Sequence, residues 1–200
     1  MQKSIPILIT IIVLSLSCMR EDKICQKLSQ STSISDSKAI EFIAKKIFNE
    51  HITGQQNFNA WINDSCKKKI CLTLFIRDKE EPLTKFDNII DFKREKIHWL
   101  AEKMVSLFYY CNKRNLFSVR IEYSHKVVTI PRPRIVDNIY ILGVSLDIDH
   151  LETITGWDRY SPFFKSKDST IILSQNKTIE DVKRILNIEY DGTGGIFLKQ

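Results

Sequence analysis

Three acids and a histidine crowd one short stretch, Asp147-Ile148-Asp149-His150-Leu151-Glu152. Carboxylate oxygens suit a hard cation, so Asp147, Asp149 and His150 are the set that would ligate a metal and support metal-assisted hydrolysis. The stretch has neither the spacing of a calcium loop nor a second histidine nearby. Its plainer reading is a solvated turn from strand to helix, in which one acid caps the next segment. Other candidate chemistry falls short in similar ways. His98 stands beside Trp99 in a helical pattern and reads as a surface or partly packed residue. Ser124-His125 holds two side-chain types of a hydrolase, yet neighbours in an extended chain point to opposite faces. No Gly-x-Ser-x-Gly elbow is present. Asp191-Gly192-Thr193-Gly194-Gly195 precedes a short strand pattern, where a phosphate cradle would open a helix. Nothing in the sequence requires a cofactor.

Recognition is the other chemistry on offer. Trp157, Arg159, Tyr160, Phe163 and Phe164 lie within eight residues of one another. Aromatic rings interleaved with a guanidinium are the material of interface hot spots, although such rings also serve as core plugs. Four cysteines, Cys25, Cys66, Cys71 and Cys111, follow Cys18. In an oxidising compartment they can pair in three complete ways, and buried thiols are the alternative. Their irregular spacing does not suit a zinc site.

The elements that must position these residues are read from periodicity. Ala39, Ile40, Ile43, Ala44, Ile47 and Phe48 recur at helical steps after Ser35 and Asp36, either of which can cap the first turn. A long helical pattern spans residues 86–112, with Lys113-Arg114 at the end that favours cations. A third helix is expected over 178–188, capped by Thr178. Residues 70–76 form a continuous apolar run, expected as a central strand buried on both faces. Residues 116–123 alternate and predict a half-buried strand. A turn at Ser124-His125 would lead into a short strand over 126–130, and further strands are expected over 138–147, 169–173 and 196–198. Pro131 and Pro133 confine their segment to an edge or connector. Residues 54–69 read as irregular, with Trp61 reaching the core from a loop. Strand, long helix and strand make a crossover unit. The whole predicts an α+β fold in a single domain over 35–200: a mixed β-sheet packed by one long and two shorter helices.

The N-terminus has a different character. Lys3 is the only charge before an apolar run over 5–16, which is shorter than the roughly 20 residues a bilayer span needs. A basic start, a short apolar run and small residues at its end are the parts of a signal peptide, here residues 1–17. Leu14-Ser15-Leu16-Ser17-Cys18 resembles the lipobox of bacterial lipoproteins, in which a small residue precedes an acylated cysteine. The resemblance covers the leader alone, and Ser15 stands where leucine is usual. It implies lipidation of Cys18 and, over 18–34, a flexible tether from membrane to domain. The membrane would be held through N-terminal acyl chains, several of which anchor stably. The implied location is the bacterial cell envelope, at an outer membrane and facing periplasm or cell surface. Met19-Arg20-Glu21-Asp22 lacks an Asp directly after the cysteine and is similar to the surface-export signal of Bacteroidota lipoproteins. Ordinary cleavage before Cys18 is the competing reading.

Composition narrows the partners. A chain 43% hydrophobic and 27% charged is expected to fold as a globular domain. The formal charge of +6 is dispersed, and Lys67-Lys68-Lys69 is the longest basic run, so no nucleic-acid face is expected. The domain reads as a non-catalytic binding module whose partner is an envelope protein or a toxin. The alternative is a small envelope enzyme centred on residues 147–152.

Overall fold

A computed structural model describes residues 23–48, 60–66, 69–77, 89–128, 135–160 and 169–190. The fold is α+β. Helix α1 covers residues 23–30. It is followed by α2 (Asp36–Ile47), β1 (Ala60–Cys66), β2 (Lys69–Arg77), α3 (Ile89–Cys111), β3 (Leu116–Val128), β4 (Ile135–Asp147), α4 (Ile148–Leu151), α5 (Ser169–Ile185) and β5 (Asn187–Tyr190). The strands lie side by side in chain order. Strands β2 and β3 are parallel, as the expected crossover through α3 requires, and the other neighbours are antiparallel.

Register aligns the apolar positions of the strands on one face. Leu74 pairs with Ile121, Ile121 with Val144, and Val144 with Ile188. Leu72, Val119 and Leu146 form the next row, and Ile76, Tyr123 and Leu142 the row beyond. Helix α3 contacts β3 and β4, and α2 and α5 pack against α3. Trp99 of α3 meets Phe48 edge-on at 5.8 Å and Tyr123 at 6.5 Å, joining α2, α3 and β3. The helical faces read from the sequence are buried. Ala39, Ile40, Ile43, Ala44, Ile47 and Phe48 face inward from α2 and its end, and Leu100, Met104, Leu107 and Phe108 from α3.

Several expectations are corrected. Strand β2 is not buried on both faces: Ile70, Leu72, Leu74 and Ile76 are buried, but Phe75 is exposed on the opposite side. The opposite face carries Arg120, which pairs with Glu189 at 2.7 Å and Glu122 at 3.3 Å. Gly143 lies on the same face, where the Tyr140 hydroxyl closes over its Cα. Residues 60–66 are a strand and not irregular chain. Their polar side chains do not prevent pairing, since β2 supplies the backbone partners. Trp61 therefore belongs to a strand. Strand β3 runs straight through Ser124-His125, absorbing two register shifts where a turn was expected. Residues 169–173 are the first turns of α5 and not a strand, and Thr178 is not its cap. The Thr178 hydroxyl instead donates to the Ser174 carbonyl one turn back at 3.0 Å. Strand-forming residues at 169–173 yield to helix because no breaker separates them from the segment over 178–186, which buries Ile179, Val182 and Leu186. The proline connector at 131–134 and the strand expected over 196–198 lie outside the described residues.

The tether expectation is corrected for its described part. Residues 23–30 are helical, Cys25 is fully buried, and Leu28 packs on the core. The cause is Arg114, expected only to complement the α3 dipole. It lies beyond the last residue of α3 and is itself buried. Its guanidinium donates to the carbonyls of Leu28 and Ser31 and pairs with Asp36 at 3.2 Å. Asp36 is thus spent on Arg114 and on the Asn115 amide, and Ser35 at the cap position makes no side-chain cap bond. Asn115 takes the left-handed conformation that turns the chain from α3 into β3, a geometry asparagine tolerates.

Candidate functional site

The crowded acids at 147–152 do not converge. Asp147 ends β4 in extended backbone and caps α4 only by position, with no side-chain cap bond. Asp149 and His150 lie on the exposed side of a four-residue helix. The His150 carbonyl accepts from the Thr153 hydroxyl at 2.6 Å, which fixes the turn. Among the described residues no group of three or more His, Cys, Asp or Glu side chains is placed to hold a metal ion. The expected ligand set is corrected for a simple reason. Asp149 and His150 follow one another about 100° apart on the helical turn, and Asp147 stands before it in extended backbone. Fully buried Leu151 shows the inward direction of that turn.

The chain next reaches Gly156, whose φ of 86° only glycine adopts without strain. This left-handed residue opens a 3-10 turn, Trp157–Arg159, which packs on α3. Between this turn and the first half of α5 lies a groove of about 400 Å³. Its lining mixes Gly156, Arg159, Tyr160, Thr170, Ser174 and Thr178. Ile171 also lines the groove, and it begins three consecutive exposed apolar residues of α5: Ile171 by 41%, Ile172 by 40% and Leu173 by 68%. Successive helical positions lie about 100° apart, so the three expose apolar surface around this turn, with Ile171 on the groove side.

The residues read as a contact surface are divided by the fold. Arg159 is exposed at the groove. Trp157 is half-buried and leans on the core. Tyr160 is corrected from surface to interior, since only 7% of it is exposed. Burial, reinforced by the nearby charge of Glu102, pushes its phenol well above the ordinary value. The phenol therefore stays protonated. Phe163 and Phe164 lie outside the described residues. Ile171, Ile172 and Leu173 were missed as surface residues because a strand reading of 169–173 turns alternate side chains inward. The signal that could have revealed them is the polar stretch Ser174-Gln175-Asn176-Lys177, which continues a helix without a turn.

The remaining candidates have structural roles. His98 lies 3.5 Å from Glu102 and 3.4 Å from Glu180, linking α3 to α5. His125 is buried beside Tyr123, and Ser124 donates to the Ile76 carbonyl at 3.3 Å, so neither belongs to a hydrolytic pair. Cys71 is disulfide-bonded, whereas Cys25 and Cys111 are buried thiols. Cys18 lies outside the described residues, as does the Cys66 side chain. No protein family, curated protein or solved structure matches the chain.

Proposed function

We propose that the protein is a membrane-anchored lipoprotein of the bacterial cell envelope. Its domain binds an envelope protein or a toxin through the groove beside α5 and has no catalytic centre of its own. The observation that supports this best is exposed Ile171 in the groove lining with Arg159, on a turn of α5 that also exposes Ile172 and Leu173. Apolar anchors beside a guanidinium and neutral hydroxyls suit a protein partner that brings its own apolar side chain and an acidic rim. An enzyme centred on residues 147–152 draws no support from that turn, where Asp149 and His150 face solvent. The anchor rests on the lipobox resemblance at Cys18. No described helix is long and apolar enough to cross a membrane.

The two halves of the proposal are tested separately. The mature protein from membrane fractions is expected to weigh more than residues 18–200 by its acyl chains. Cys18→Ala is expected to lose that mass and the membrane retention together, whereas an unmodified mass in the soluble fraction would overturn the anchor. For the contact face, Leu173→Glu is expected to leave the melting temperature within about 1 °C, because the side chain is already largely in water. The same change is expected to cut cross-linking from a photoreactive group at position 172 in cells at least about tenfold. Absence of any discrete adduct from that position in the unmutated background would sink the contact face, whatever the acylation result.

A further inference from the structure

Two buried thiols lie where α1 meets the end of α3. Cys25 is 0% exposed and Cys111 is 1% exposed, and both belong to the same apolar cluster. The Arg114 clamp sets their relation. Arg114 follows Cys111 by three residues, with its amide donating to the Cys111 carbonyl at 2.9 Å. Its side chain grasps the carbonyl of Leu28, which follows Cys25 by three residues in α1. Residues three apart on a helix lie one above the other on the same face. Cys25 thus sits one turn before Leu28 on its side of α1, Arg114 turns back onto Cys111 just past the end of α3, and the clamp that joins Leu28 to Arg114 brings the Cys25 turn towards Cys111. The charges agree with this placement: burial pushes the Cys111 thiol well above its ordinary value, and Cys25 beside it adds to the effect.

We infer that Cys25 and Cys111 are a disulfide-forming pair that staples the N-terminal helix to the far end of α3. The step is a two-electron exchange with a dithiol oxidase or a small disulfide donor. One cysteine thiolate attacks the donor disulfide, forming a mixed disulfide and releasing the donor's first thiolate. The second cysteine then attacks its partner's sulfur, the protein disulfide forms, and the donor leaves as a dithiol. The protein loses two protons and two electrons, and the donor gains both electrons. Because both sulfurs are buried and burial keeps the Cys111 thiol protonated, the exchange occurs while α1 is undocked, during folding or local opening. The bond would close a long loop of chain, which is where a cross-link restricts the unfolded ensemble most. It would also carry tension from the N-terminal segment directly into α3. The inference concerns the chain's own chemistry and stands whether or not Cys18 is acylated.

The test uses the full chain made under reducing conditions, partly unfolded in urea and refolded with oxidised glutathione. Thiols are then alkylated without reduction, and the digest is mapped by mass. The expected product links the peptide bearing Cys25 to the peptide bearing Cys111. Its formation is expected to raise the melting temperature by roughly 10 °C, reversibly with dithiothreitol. Cys25→Ser is expected to leave Cys111 fully alkylated, and Cys111→Ser to leave Cys25 so. Full alkylation of both cysteines in the unmutated refolded chain would overturn the pairing, as would linkage of Cys25 to any cysteine other than Cys111. Mapping of the unmutated chain decides the matter even if the serine variants fail to fold.

Discussion

Arg114→Met is expected to lower the free energy of unfolding by about 3 kcal/mol, the range for breaking a buried ion pair by removing one partner. The guanidinium is 7% exposed as a side chain, and it serves three acceptors: the Leu28 and Ser31 carbonyls and Asp36 at 3.2 Å. Methionine fills much of the same volume, so packing loss is small and the lost polar contacts dominate. Two carbonyls and one carboxylate are left short of a donor. Asp36 is 31% exposed and can turn to water, which keeps the figure at the lower end of that range. Asp36→Asn is expected to cost less, about 1 kcal/mol, because its amide oxygen still accepts. Urea unfolding followed by circular dichroism measures both. Limited trypsin digestion adds a local readout, since α1 held only by its apolar face should open and expose Lys27. A change below about 0.5 kcal/mol for Arg114→Met would mean that the clamp does not dock α1.

Ile121→Ala is expected to cost about 4 kcal/mol, near the upper end for truncating a buried aliphatic side chain. Ile121 is fully buried in β3, between Leu74 on one side and Val144 on the other. Neighbouring strands fix both flanks, and α3 closes the face above them, so the site has little freedom to collapse into the space. Ile121→Val, which removes one methylene and keeps the β-branch, is expected to cost about 1 kcal/mol. Chemical denaturation should show the midpoint falling with an unchanged slope, the mark of lost stability without a change in the surface exposed. Equal costs for the two variants would contradict the rigid, sheet-bounded core described here. Neither change touches the groove, so Leu173→Glu, expected to weaken cross-linking at position 172 without destabilising the fold, should be separable from both.

Local periodicity determined much of this protein. The faces of α2 and α3, the alternation in the first half of β3, and the crossover through α3 were legible because each depends on neighbours within a turn or two of the same segment. The turn at 147–152 was legible as a turn, and its spacing already argued against a metal. What the tertiary structure decided depends on partners distant in the chain. Residues 60–66, with Asn63, Asp64 and Ser65 at their centre, became a strand because β2 offers a free edge to pair with. Residues 169–173 became helix because the segment after them docks on α3 and no breaker intervenes. Tyr160 went inside while Ile171, Ile172 and Leu173 stayed out, reversing what their polarity suggests. Arg114 passed from a surface charge to a buried clamp because its acceptors lie some eighty residues earlier in the chain. A local pattern records which side of a segment is apolar. Which side is covered, and by what, is settled only when the elements pack, since burial and hydrogen-bond satisfaction are properties of the assembled fold.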